Sequence, residues 1–319
     1  MSSSQSPAVR EYSSMERAPH SLHESRTPEE FCARFAAATG RSIRQVVDPV
    51  VQSSQPQAVF AVGSLALGMG SSGSDVDLIV LVDGKSALVE GQHHIANSAQ
   101  ELEFSSASDL LLAGIFLSVH AGILVDLHVA ITPAIHRIYS RLRRRGPELN
   151  ETEIRTLGRL SSGWLLYQSD GYVERNSSIV KDPALAVYCC TKEFVSALHQ
   201  IAKAVRALDC DDIPLSLQHG RSSIEAAYLA YFASEGLPYL GSKWLAQIGH
   251  ARSGEERLNR HPLLKQGIPL LFPQYPSSAP QTRQYLQSVS EFLASMRALI
   301  EQKTLFRIAL NACPQVHSL

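Results

Sequence analysis

Two aspartates next to a glycine-rich stretch carry the clearest chemical signal in this sequence. Asp75 and Asp77 lie two residues apart at the start of an apolar run, so on a strand both side chains project from the same face. Two carboxylates that close together repel each other unless a cation bridges them. Hard divalent ions such as Mg²⁺ bind carboxylate and phosphate oxygens together, so the pair indicates a site for a metal ion and a phosphorylated ligand.

Four other residues fit such a site. Gly63 and Ser64 stand where an apolar strand turns into a helix, so backbone N–H groups and a hydroxyl can face phosphate oxygens. Asp126 interrupts another apolar run, where a buried carboxylate is costly unless it is paired or binds a metal. His128 shares a strand face with Asp126, and it either lines the site or bonds to a backbone carbonyl.

Three short strands must position these residues. Their apolar runs end at turn or helix-start residues and occupy 58–62, 76–82 and 123–131. A helix with Asp109 at its N-cap is predicted over 109–119. Upstream, Thr27, Pro28 and Glu30 form a capping-box pattern, which predicts that the ordered chain begins there.

The sequence after Thr132 and Pro133 is helical in texture. Helical periodicity occurs over 135–145, 151–168, 184–208, 224–234, 242–248 and 282–310. The prediction is an α+β fold in which a small mixed-sheet lobe at 27–133 precedes an all-helical lobe at 134–319. A Ser-rich leader at 1–26 is expected to be disordered.

Charge is distributed unevenly along the chain. The 319 residues carry a net charge of −1, which argues against a protein that coats nucleic acid or an anionic membrane by bulk electrostatics. Residues 56–130, however, hold eight acidic residues against one basic residue, Lys85, and residues 241–319 have a net charge of +5. The acidic part offers little to neutralise a bound polyphosphate. A metal ion and the basic terminal segment must therefore supply that positive charge.

Cysteine usage and hydropathy indicate the compartment. The five cysteines are odd in number and have no C-x-x-C spacing, so neither a disulfide framework nor a zinc knuckle is indicated. The most apolar stretch, 110–131, is interrupted by polar and charged residues and is interpreted as buried core rather than a membrane span. A cytoplasmic protein without a membrane partner is expected.

The combined pattern resembles a known superfamily. It comprises Gly63-Ser64, Gly68, Ser74-Asp75-x-Asp77 and a lone aspartate, Asp126, on a later apolar strand. This pattern, over residues 57–130, resembles the DNA polymerase beta-like nucleotidyltransferases, in branches that include antibiotic nucleotidyltransferases and bacterial cyclic-oligonucleotide synthases. Met69 departs from those branches, many of which have Thr or another small residue at that place.

The resemblance implies a two-metal nucleotidyl transfer. Asp75 and Asp77 would hold the Mg²⁺ that carries the triphosphate and would share a second Mg²⁺ with Asp126; Mn²⁺ is an alternative ion. An acceptor hydroxyl would attack the α-phosphorus, and pyrophosphate would leave.

The resemblance also assigns nucleotide-binding and acid–base roles outside the metal site. Gly63, Ser64 and Ser74 would bind the nucleotide's phosphates. Lys243, at the start of a predicted helix, would reach the triphosphate, and Glu225 would act as a general base on the acceptor. The alternative interpretation of Lys243 is a lysine whose side chain covers a core tryptophan, and that of Glu225 is an ordinary carboxylate on a helix surface.

Three functions are compatible with this motif. The first is transfer of a nucleoside monophosphate, AMP by expectation, from an NTP to a hydroxyl of a small molecule. The second has the same chemistry with a nucleotide, tRNA or protein acceptor. Its specific support is the helix face formed by Arg137, Arg141 and Arg145, which could bind RNA or phosphate; the alternative interpretation of this face is a solvated helix end. The third is a non-catalytic nucleotide-binding module, against which the intact Asp75, Asp77 and Asp126 argue.

Overall fold

The computed structural model describes most of the chain in separate ranges. These ranges are 28–67, 75–83, 111–120, 123–144, 149–172, 182–239, 262–273, 276 and 278–313. The predicted leader at 1–26 and the predicted helix at 242–248 lie outside them. The chain divides into two compact units, one formed by 1–137 with 163–181 and the other by 138–162 with 182–319. The division at 133/134 into a catalytic and a helical domain stays a prediction.

A five-stranded mixed sheet is the centre of the first unit. Its strands are β1 (Ala58–Val62), β2 (Val76–Val82), β3 (Leu111–His120), β4 (Ile123–Ile131) and β5 (Trp164–Gln168). Their order across the sheet is β3-β4-β2-β1-β5, with β2 and β4 parallel and the other neighbours antiparallel. The mixed sheet and the many helices confirm the predicted α+β class.

Helices make up the rest of the regular structure within the described ranges. Before and between the first two strands lie α1 (Pro28–Thr39), α2 (Arg44–Ser54) and the short α3 (Gly63–Ala66). After β4 come α4 (Thr132–Arg143), α5 (Glu151–Ser162), α6 (Ala184–Asp209), α7 (Ile213–Ser234), α8 (Pro262–Leu271), α9 (Ala279–Glu301) and α10 (Thr304–Asn311). Within the described residues, none of these helices combines the length and the apolar character that a membrane crossing requires.

The two central strands are apolar because both faces of the sheet are covered there. All five residues of β1 are buried, as are six of the seven residues of β2. Continuous apolar runs are typical of strands that are buried on both faces. The exception in β2 is Asp77, which stands among residues such as Val76 and Leu78 that are almost fully buried. The core therefore holds this carboxylate at a defined position.

The helix predicted over 109–119 is wrong. Residues 111–120 form β3, which pairs with β4 across a two-residue connection. A short apolar run has no periodicity that separates a buried helix from a buried strand. The backbone hydrogen bonds that β4 offers decide the conformation.

The helix predicted over 151–168 is correct only up to Ser162. Gly163 separates α5 from β5, which pairs with β1 at the edge of the sheet. Strand β5 begins with Trp164, which is fully buried and whose Nε1 donates a hydrogen bond to the carbonyl of Ala66 at 2.9 Å. This bond ties the sheet edge to α3, the helix that starts with Gly63 and Ser64.

We expect Trp164→Phe to destabilise the protein. Phenylalanine is smaller than the indole and lacks the N–H donor, so the buried carbonyl of Ala66 loses its partner, at a cost of about 1–3 kcal/mol, and the cavity that remains adds to that cost. Chemical denaturation should show this loss. Tyr167→Phe, on the same strand but with a partly exposed side chain, should change the free energy of unfolding by less than about 0.5 kcal/mol. Equal losses in the two variants would contradict the role of the indole N–H.

A second prediction concerns Glu193 on α6. Burial raises the pKa of this carboxyl above its usual value, while nearby Lys192 opposes the effect. Because folding favours the protonated carboxyl, its stabilising contribution is present at acid pH and is lost as the pH rises through the folded-state pKa. Glu193→Gln should therefore raise the melting temperature at neutral pH and leave it nearly unchanged at about pH 4, below the ordinary glutamate pKa.

The exposed Glu291 provides the matched control for this experiment. Glu291→Gln should change the melting temperature little at either pH, because substitutions at exposed positions have small effects on stability. If Glu193→Gln lowers the melting temperature at neutral pH, the buried carboxylate is stabilising there and the prediction is wrong.

Candidate functional site

The parallel pairing of β2 and β4 brings two aspartates together. In the register of this pair Asp77 is the partner of Asp126, so the two residues are neighbours across the sheet and point to the same face. His128 follows Asp126 by two residues and therefore shares that face. Ligand-type atoms of the three side chains all lie within 4.8 Å of one another. We call Asp77, Asp126 and His128 the acidic cluster.

His128 and Asp126 are in direct contact. The Nε2 atom of His128 lies 3.2 Å from Oδ2 of Asp126, and each side chain is only 16% exposed. Partial shielding from water strengthens electrostatic interactions of these groups, both with each other and with any ion that enters.

Gly63 lies against Asp77 on the other side. Strand β1 ends at Val62, the register partner of Asp77, and the chain turns at Gly63 with a φ of +72°. A Cβ atom at Gly63 would stand 1.9 Å from Oδ2 of Asp77, far inside contact distance. Glycine is therefore required at position 63 for two reasons: its φ lies in the left-handed region, and the Asp77 carboxylate occupies the space that a side chain would need.

Of the four other residues predicted to bind the nucleotide or the metal, the structure describes Ser64 and Asp75. Ser64, in the first turn of α3, is buried at 4% exposure. Asp75 directly precedes β2 and is partly buried, and among the described residues it does not belong to the acidic cluster. Ser74 and Lys243 lie outside the described residues. The roles predicted for these four residues stay predictions.

Glu225 has a basic partner on its own helix. In α7 the Nε atom of Arg221 donates a hydrogen bond to Oε1 of Glu225 at 3.0 Å, and the guanidinium of Arg221 lies 5.4 Å from the ring centroid of Phe272. This is the geometry of an i,i+4 helix pair. The role of Glu225 as a general base stays a prediction.

Within the arginine face predicted to bind nucleic acid, one member is already engaged. The guanidinium of Arg141 contacts the buried carboxylate of Glu153, which also accepts a hydrogen bond from the backbone N–H of Asn150 at 3.0 Å. Arg137 is exposed on α4, and Arg145 lies outside the described residues. Binding of nucleic acid by this face stays a prediction.

His128 is the residue whose position the sequence left undecided. The two-residue spacing in β4 predicts that His128 lies on the same strand face as Asp126, and the structure places a ring nitrogen of His128 beside the Asp126 carboxylate. The spacing does not predict which group the imidazole contacts, because that depends on the arrangement of the side chains.

The cluster has the chemistry of a divalent-cation site. Two carboxylates on one face repel each other, and a cation between them removes that repulsion. Carboxylate oxygens suit Mg²⁺ and Mn²⁺, while an imidazole nitrogen suits first-row transition ions. The donor set and the close backbone of Gly63 thus fit a metal ion.

Comparison with known proteins agrees with this geometry. Residues 43–147, which contain β1 to β4 and the whole acidic cluster, match the family model described as "Nucleotidyltransferase domain". The chain contains a nucleotidyltransferase domain. Its motif and this domain place it in the DNA polymerase beta-like superfamily, as the sequence pattern indicated.

No curated protein matches the chain significantly. Several solved structures do, among them the crystal structure of a nucleotidyltransferase-like protein from Exiguobacterium sibiricum 255-15. That protein is 12% identical to this chain, and the match covers 86% of this chain and 81% of the other with a TM-score of 0.42.

Gly63→Ala should abolish most of the nucleotidyltransferase activity. The new Cβ atom would collide with the Asp77 carboxylate, so that side chain must leave its place in the cluster. Gly40→Ala is the matched control, because Gly40 has a similar φ of +69° but open space where a Cβ would stand. Each variant should lose about 1–2 kcal/mol of stability to the left-handed backbone.

Only Gly63→Ala should also lower turnover, by at least about 100-fold, the scale seen when one electrostatic group is removed from an active site. Steady-state turnover and denaturation of both variants provide the measurements. Similar activity in the two variants would show that contact between Gly63 and Asp77 is unimportant for function.

Proposed function

We propose that this nucleotidyltransferase transfers AMP from ATP to a hydroxyl group of a small-molecule acceptor in the presence of Mg²⁺, with release of pyrophosphate. The observation that carries the proposal is the in-register placement of Asp77 beside Asp126, next to the turn at Gly63, within a nucleotidyltransferase domain. Adjacent carboxylates in a partly shielded site are the donor set that such a transfer requires.

In this proposal, Asp77 and Asp126 hold a divalent cation, and Asp75 adds a ligand from the residue before β2. When bound, the cation neutralises phosphate charge and lowers the pKa of the acceptor hydroxyl. The acidic residues also select for the metal-bound nucleotide, because their negative charge repels a triphosphate that arrives without a cation.

Further residues of the chain orient the nucleotide in this proposal. The backbone at Gly63 and the hydroxyl groups of Ser64 and Ser74 bind the β- and γ-phosphates, and Lys243 adds a positive charge. With the triphosphate held, the acceptor oxygen forms a bond to the α-phosphorus while the bond to pyrophosphate breaks. Glu225 is the candidate base for the proton that the acceptor hydroxyl releases.

A small-molecule acceptor is favoured by the state of the arginine face. Arg141 is engaged by Glu153, so its guanidinium has a strong partner before any phosphate arrives. We also propose a reducing compartment such as the cytoplasm, because the five cysteines are odd in number and have no C-x-x-C spacing.

Incubation with each NTP, labelled at the α-phosphate, tests the proposal. In the presence of Mg²⁺ and a panel of hydroxyl-bearing small molecules, ATP should give a labelled acceptor and unlabelled pyrophosphate. Labelled product without an added acceptor would instead favour oligonucleotide synthesis, and label on RNA would favour a tRNA acceptor. If no NTP is bound or consumed under any of these conditions, the proposed activity is wrong.

Asp126→Asn should keep ATP binding and lower turnover by at least about 100-fold, because the neutral amide withdraws the charge that holds the activating cation. Asp83→Asn is the control, since Asp83 is an exposed carboxylate at the opposite end of β2. It should leave both ATP binding and turnover unchanged. Turnover of Asp126→Asn equal to that of the wild type would refute the role assigned to Asp126.

A further inference from the structure

His128 adds a nitrogen donor to a cluster that is otherwise made of oxygens. Its Nε2 atom lies 3.2 Å from Oδ2 of Asp126, and one ligand-type atom each of Asp77, Asp126 and His128 lies within 4.8 Å of the other two. Ligands bound to one cation by bonds of about 2.1 Å lie roughly 3 Å apart when they are at right angles. The separation of Nε2 and Oδ2 is compatible with that arrangement.

The strand architecture holds His128 at this place. In β4 its register partner on β2 is Ile79, which is buried, so the backbone on this side is fixed by the centre of the sheet. On the other side, the register between β3 and β4 shifts between Leu112 and Phe116, and the shift falls opposite His128. Irregularities of this kind are over-represented beside active sites, where they change the direction of a side chain.

We propose that His128 is a further ligand, the nitrogen ligand, of the divalent cation held by Asp77 and Asp126, and that this nitrogen makes the site prefer a first-row transition cation such as Mn²⁺ to Mg²⁺. The inference rests on the proposed function for the presence of the cation, and it deepens that function by assigning the metal preference to one residue. Mg²⁺ gains little from an imidazole, whereas transition cations bind both imidazole and carboxylate well.

Pulsed electron paramagnetic resonance of Mn²⁺ bound to the full chain tests the assignment directly. The experiment is done without nucleotide and in a buffer that contains no nitrogen ligand, so that a coupled nitrogen must come from the protein. The wild type should show the modulation of a directly coordinated imidazole nitrogen, and His128→Gln should lose it. Bound Mn²⁺ without nitrogen coupling in the wild type would overturn the proposal, leaving His128 as a hydrogen-bond partner of Asp126 only.

Metal affinities measured by titration provide a second, independent readout. His128→Gln should weaken Mn²⁺ binding by at least about 10-fold, the lower end of the losses seen when groups around a metal site are changed. Mg²⁺ binding should change by much less, so the preference for Mn²⁺ should fall. Unchanged preference in His128→Gln would also overturn the proposal.

Controls separate this inference from the proposed function. His199→Gln, at an exposed histidine of α6, should leave the nitrogen coupling and both affinities unchanged. If His128→Gln does not fold, the wild-type spectrum alone still decides the question. Nitrogen coupling without NTP turnover would support the ligand and refute the transfer activity, whereas turnover without nitrogen coupling would do the reverse.

Discussion

Repulsion between two carboxylates is the constraint on which the functional part of this molecule depends. Asp77 and Asp126 are register partners on adjacent parallel strands, so the hydrogen-bond ladder of the sheet holds their charges close together. The chain cannot separate them without a change of register, and a shift by one residue would turn Asp77 to the opposite face of the sheet, among buried apolar side chains. The energy of apolar burial in these strands thus maintains an electrostatic arrangement that favours a cation.

The surroundings of the pair follow from that constraint. The Asp77 carboxylate needs space beside the end of β1, and Gly63 provides it because it has no side chain and accepts a positive φ. The hydrogen bond from Trp164 to Ala66 then holds α3, which begins at that glycine, against the sheet edge. On the other side His128 lies beside Asp126 and places a polar group next to its charge.

Strands β1, β2 and β4 were predictable, and β3 and β5 were not, for one physical reason. The first three are apolar runs that end at clear turn or helix-start residues, so local sequence is sufficient to define them. The run at 111–120 and the end of the segment 151–168 have apolar residues that suit either a helix or a strand. Their conformation depends on pairing, of β3 with β4 and of β5 with β1. This pairing supplies backbone hydrogen bonds that no local pattern reveals, and β1 is also far from β5 in the sequence.

The same distinction applies to the site. The candidate metal and nucleotide residues could be named from the sequence, because Gly63, Asp75, Asp77 and Asp126 have spacings that few other functions require. Which of them meet depends on the fold, since the parallel register of β2 and β4 pairs Asp77 with Asp126, and Asp75 is not part of the acidic cluster. The tertiary structure also decided that His128 faces a carboxylate, because contacts between side chains depend on packing in three dimensions rather than on period along one strand.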